Sequence, residues 1–161
     1  MYQVIHSIET GKPTFWGDVA SPLGFNPEES TSQTYADDAA AIAAEPNLQE
    51  VRHNQKIAQL PYDKKVEVFQ DSDGIWWSAD TNARLNMREA TDAISAGIDL
   101  TGQIYEDKDG VGHGMRNNAH VQAILGAYFQ RKIAVNAAYD ADVVLINADQ
   151  EPTNLAALAQ G

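Results

Sequence analysis

The chain has 161 residues, 43% hydrophobic and 21% charged, with a formal net charge of −12 and no cysteine. That length suits one ordinary domain or two small ones, and the hydrophobic fraction argues against wholesale disorder. Lack of cysteine excludes disulfides, thiolate zinc sites and thiol nucleophiles; the charge argues against direct nucleic-acid binding, and no apolar run reaches the ~18–20 residues of a membrane span.

The first residues, Met1-Tyr2-Gln3-Val4, lack the basic residue and apolar core of a signal peptide, so a cytosolic start is expected. Tyr2 to Ile8 alternates roughly and is rich in β-formers. Glu9-Thr10-Gly11-Lys12-Pro13 is a turn, and Thr14-Phe15-Trp16 is the returning strand. Pro13 suits an edge, because it has no N–H for a ladder. Gly17 to Thr34 reads as a long loop or lid, with Pro22, Gly24 and Pro27 among many polar residues. An Ala-rich helix is expected over Tyr35–Glu45, with Asp37 and Asp38 in its first turn and Pro46 as its stop. Gln49 to Gln55 reads as a strand and Pro61 to Lys65 as a linker. Residues 1–62 thus form a small β-rich module with a hairpin, a long loop and a short helix.

Residues 63–147 read as β-hairpin, helix, β-hairpin and long helix, which makes the fold class α+β. Val66-Glu67-Val68-Phe69 and Ile75-Trp76-Trp77 flank an Asp73-Gly74 turn, a strong hairpin signal. The next helix is Thr81 to about Ala96, capped by Asp80 or Thr81 and ended by Gly97; Leu85, Met87 or Ala90, Ile94 and Ile98 give it a thin apolar face. Thr101–Tyr105 and Val111–Met115 pair around Asp109-Gly110, with Gly112 and Gly114 weakening or bulging the outgoing strand. The last helix starts at Asn117 or Asn118 and runs to Asn147, or breaks near Asp140-Ala141-Asp142. About 30 residues would span ~45 Å at 1.5 Å each, beyond a small domain's ~30 Å. Part of such a helix is expected to project and pack on another copy or a partner. Asp142 interrupts its apolar face, as if that face left the core there. Residues 148–161 are a tail in which Leu155 and Leu158 are spaced to dock.

Shifted by 36 positions, the second half overlays itself. Asp71, Asp73 and Gly74 meet Asp107, Asp109 and Gly110, and Asn82-Ala83 meets Asn118-Ala119. Stacked repeats would share one mixed or antiparallel sheet with both helices on one side. Two Asp-Gly hairpins can also arise separately.

No residue set points to catalysis. The acidic turns suggest calcium, but Gly74 and Gly110 are followed by strand residues, and nothing completes a shell of oxygen ligands. His6, His53, His113 and His120 form no i, i+4 pair for zinc. Neither a nucleophile elbow nor a phosphate-binding glycine motif occurs. The expectation is a non-enzymatic protein with no metal and no cofactor. Trp76-Trp77 on a strand must point to opposite sides, so one indole faces the helices and the other is covered or serves as a contact anchor. Trp76, Trp77, Tyr128, Phe129 and Tyr139 are the candidate partner-binding residues.

Residues Val66-Glu67-Val68-Phe69, the Ile75-Trp76-Trp77-Ser78-Ala79-Asp80 run, Arg84, Leu85, Ile104-Tyr105 before Asp109-Gly110, and the long helix from Asn118 carry a resemblance. Over Val66–Asn147 the chain resembles a domain found at the C-terminal end of bacteriophage tail-fibre and tail-fibre-assembly proteins. It departs at Met115-Arg116-Asn117-Asn118, where that family enters the helix with Leu-Thr, and at Tyr105, where it has Trp. The N-terminal hairpin and loop resemble the β-rich head of such assembly proteins. The resemblance implies a tail-fibre assembly chaperone that binds a phage fibre in the host cytoplasm, or a fibre or baseplate component retained in the virion tail. A homo-oligomer through the long helix is a further expectation, with neither nucleic acid nor membrane as partner. A small hydrolase or sugar-binding module has only Trp76, Trp77 and the Asp turns in its favour.

Overall fold

The structure is a computed structural model that describes residues 2–18, 30–45 and 47–159. The chain divides into two compact units, Met1–Gln59 and Leu60–Gly161.

In the first unit β1 (Tyr2–Ser7) lies between β2 (Pro13–Asp18) and β3 (Ser30–Tyr35), antiparallel to both. Pro13 is accordingly on an edge strand. β3 corrects the reading of Gly17 to Thr34 as loop, residues 19–29 of which lie outside the described residues. Its Ser-Thr-Ser-Gln-Thr-Tyr run has no apolar alternation to read, and it is held by six residue pairs with β1. Helix α1 (Asp38–Ala44) is shorter than expected because Asp37 stands outside it as a cap, its carboxylate accepting from the Ala40 N–H at 2.9 Å. The strand expected at Gln49 to Gln55 is instead part of helix α2 (Leu48–Ala58). Its Gln, Glu, Arg and Lys residues are strong helix formers, and they outweigh the lone Val51. Tyr2, Val4, Ala41 and Leu48 form the core of this unit.

In the second unit the expected linker is a short helix, α3 (Tyr62–Val66), too brief for periodicity to reveal. The first hairpin is β4 (Val68–Gln70) with β5 (Trp76–Ser78), and helix α4 (Thr81–Ser95) follows, capped by Asp80 through the Ala83 N–H at 2.8 Å. The second hairpin is β6 (Ile104–Glu106) with β7 (Gly112–Gly114), and helix α5 (Asn118–Asn147) follows, capped by Asn117 through the His120 N–H at 2.9 Å. The hairpins form two separate two-stranded sheets rather than one shared sheet. Their registers are nevertheless the same: Val68↔Ser78, Phe69↔Trp77 and Gln70↔Trp76 become Ile104↔Gly114, Tyr105↔His113 and Glu106↔Gly112 under the 36-residue shift. No bulge interrupts the second one. Gly74 and Gly110 both have φ near +80°, as their turns require.

α5 is unbroken over 30 residues. It does not project from the core as its length suggested, because two apolar clusters line up along it. Val121 and Ile124 join Phe69, Trp77, Ala79, Ala90 and Met115, while Val135 joins Val66 and Leu155. Leu155 belongs to α6 (Asn154–Ala157), so the tail docks as its leucine spacing implied. Asp142 does not mark an exit from the core. It is 1% exposed, and its Oδ1 accepts from the Thr153 and Asn154 N–H groups and Asn154 Nδ2, its Oδ2 from the Leu155 N–H, all within 2.9 Å. Burial alone would raise the Asp142 pKa, but these four donors favour the charged form and hold it below the ordinary carboxylate value. On α4 the apolar face is Met87, Ala90 and Ile94; Leu85 and Ile98, expected on it, are exposed.

Candidate functional site

Each hairpin is locked by its first acid. Asp71 Oδ1 accepts from the Asp73 and Ile75 N–H groups at 2.9 and 3.0 Å, and its Oδ2 accepts from the Trp77 indole N–H at 2.8 Å. Asp107 repeats this with the Asp109 and Val111 N–H groups, both at 2.9 Å, and with His113 Nε2 at 2.9 Å. The His113 contact first, and the loop amides with it, hold the Asp107 carboxyl below its ordinary pKa.

Asp71, Asp73 and His120 bring oxygen and nitrogen atoms within 4.8 Å of one another, a spacing a cation could use. Their donor chemistry argues otherwise. His120 Nδ1 accepts from the Arg116 N–H at 3.2 Å, which places the ring proton on Nε2, 3.4 Å from Asp73 Oδ2. The lone pair a metal needs is therefore occupied. The Arg116 guanidinium already binds Asp73, and both Asp71 oxygens are engaged in the turn.

Between α4, the second hairpin and the first turns of α5 lies a cleft of about 800 Å³. Its floor is made of core side chains, Met115, Val121 and Ile124, and Trp77 and Tyr105 contribute to its walls. Asp80, Glu89, Glu106 and Asp107 line it, with no lysine, arginine or histidine among the described lining residues. Burial, and then the Glu89 carboxylate, raise the pKa of the Tyr105 hydroxyl. Amide and hydroxyl donors from Ala83 and Ser78 keep Asp80 ionised. An apolar floor under an anionic rim suits an amphipathic, cationic occupant.

The five residues expected to bind a partner are dispersed. Trp77 is the inward indole, 4% exposed, while Trp76 is half-buried. Tyr128 packs edge-on against Phe69 at 5.6 Å, and Tyr139 against Tyr62 at 5.2 Å. Phe129 is 58% exposed, on the face of α5 opposite the core. The cleft brings together Trp77 and residues not expected to bind a partner, Glu89, Leu100, Tyr105 and Glu106 among them. In the structure the 36-residue shift makes Tyr105 the counterpart of the buried Phe69.

Compared with protein-family models, with curated proteins and with solved structures, the chain finds no match.

Proposed function

We propose that this protein is a non-catalytic factor of bacteriophage tail-fibre assembly. In this reading it holds a segment of the fibre polypeptide in the cleft beside α4. The cleft is the observation that carries a binding role: half-buried Met87 and Leu100 and exposed Ile104 offer it apolar surface above the core residues Met115, Val121 and Ile124. Its acids select a segment that also carries lysine or arginine. The fibre as partner rests on the resemblance over Val66–Asn147, and the host cytoplasm during assembly is where such a factor would act.

The test is co-expression with the fibre encoded beside this chain's gene. The fibre should be soluble and trimeric only when this protein is present, and Glu89→Gln with Glu106→Gln should reduce the yield of soluble trimer severalfold. A fibre that is soluble and trimeric without it sinks the reading. Recovery of the chain from purified particles at fixed stoichiometry would assign it instead to the tail itself.

A further inference from the structure

The second hairpin leaves one of its edges open inside the cleft. The Met115 N–H donates to the Gln103 C=O at 2.8 Å and the Asp107 N–H to the Val111 C=O at 2.9 Å, and antiparallel pairs alternate between bonded and unbonded. Tyr105↔His113 is therefore the bonded pair within β6 and β7, while the N–H and C=O groups of Ile104 and Glu106 point away from β7. Among the described residues nothing bonds to those four groups, and both residues are exposed. The cleft runs along this edge. It touches the consecutive residues 103–107, whose side chains alternate between the two faces of the hairpin, and none of β7, so it lies beside β6 rather than over either face. We propose that the occupant of the cleft is an extended peptide segment bearing lysine or arginine, which joins β6 as an added strand between β6 and α4.

An open edge beside a helix is a template for strand addition, in which the backbone supplies the hydrogen bonds and alternate side chains the selectivity. Residues 103–107 span about 14 Å at ~3.4 Å per residue, room for about four or five added residues. Ile104 and Glu106 each offer a donor and an acceptor, and the segment residues that bond to them share their face of the sheet. Opposite them β7 has only Gly114 and Gly112, so that face is bare and Ile104 is 64% exposed. The segment residue beside Glu106 is a lysine or arginine, whose charge meets the carboxylate. The residue after it points the other way, beside Tyr105, toward the core against which Tyr105, Met87 and Leu100 pack, and is apolar. Charge selects the same occupant. Asp80, Glu89, Glu106 and Asp107 line the cleft with no base among the described lining residues, whereas a second copy, at −12, would be repelled. This mode of binding rests on the cleft being the site that holds the fibre, and gives the form the fibre segment takes there.

The probe is an octapeptide of alternating lysine and valine, added to the full chain. It should bind, and amide exchange at Ile104 and Glu106 should slow by about tenfold or more, because those N–H groups gain acceptors. N-methylation of the lysine backbone nitrogens removes the donors that face β6 and should weaken binding about tenfold or more, the worth of two backbone hydrogen bonds. N-methylation of the valine nitrogens, which face away from β6, should leave binding within about threefold. Glu106→Lys should weaken binding severalfold without moving the unfolding midpoint, because Glu106 is exposed. No binding at millimolar peptide, equal affinity of the two methylated peptides, or unprotected Ile104 and Glu106 amides overturns strand addition. The fibre-holding role is read separately, by co-expression: a chain that solubilises the fibre but fails these peptide measurements keeps that role and loses strand addition.

Discussion

The indole of Trp77 and the imidazole of His113 meet edge to face with centroids 5.5 Å apart, and each ring is hydrogen-bonded to the first acid of its own hairpin. The two residues occupy the same position of the 36-residue repeat. Two independent hairpins could share a turn sequence, but not also a register, a capping acid and a ring contact across their shared border. The repeat is therefore structural, and each acid organises a turn and a core ring together.

Asp71→Asn should destabilise the protein by about 2 kcal/mol. The amide turns a donor toward the Trp77 N–H, leaving an indole group with no acceptor at the edge of the core. Urea unfolding followed by tryptophan fluorescence measures this, and a change below a few tenths of a kcal/mol would contradict the role given to Asp71.

Asp107 makes the second hairpin sensitive to acid. Its pKa is lower in the folded state than in the unfolded one, so its contribution is complete above the ordinary carboxylate value, near 3.8, and is lost as pH falls through the lowered value. Thermal unfolding should show stability declining below about pH 4. Asp107→Asn should flatten that decline, and an unchanged profile would show that other carboxylates govern it.

Asp142→Ala leaves the Thr153, Asn154 and Leu155 amides without their acceptor in a buried place. The expected cost is about 3 kcal/mol, since hydrogen bonds to a charged group are the strong ones. The tail helix should loosen first, seen as faster amide exchange and proteolysis over residues 153–158 while the two hairpins stay protected.

Gly74→Ala and Gly110→Ala should each cost about 1 kcal/mol, because a side chain is disfavoured at φ of +81° and +78°. Neither site is crowded: the nearest atom to a new Cβ is Gln70 Nε2 at 3.8 Å for Gly74, and nothing lies within 4 Å for Gly110. Equal losses at both positions, measured by chemical denaturation, are what matched turns require.

In the first unit the Tyr35 hydroxyl donates to Glu45 Oε1 at 2.5 Å. Burial, the hydrogen bond to Glu45 and the charge of Glu45 push its pKa up to about 12. An ultraviolet titration should show a tyrosine ionising near pH 12, with Glu45→Gln moving it back toward 10. Because the folded state holds this proton more tightly, stability should fall as pH rises from about 10 to 12.

The sequence by itself determined the order of the two hairpins and the two long helices of the second unit. Asp-Gly turns dictate where hairpins form, and Asp80 and Asn117 dictate where the helices start, because these are local effects of backbone geometry and capping. It also showed the 36-residue repeat and the α+β class. Where local signals were weak, tertiary pairing decided: β3 is a polar strand recruited by the open edge of β1, and α2 and α3 are helices placed where the sequence suggested strand and linker. Only the folded structure showed that Asp142 caps a segment eleven residues further on, and that α4 and the second hairpin leave a cleft over the core. Both follow from distances between groups remote in sequence, which no periodicity encodes. The same holds for α5. Its sequence says that it is long and apolar, and the packing of the tail and both hairpins decides which face remains uncovered.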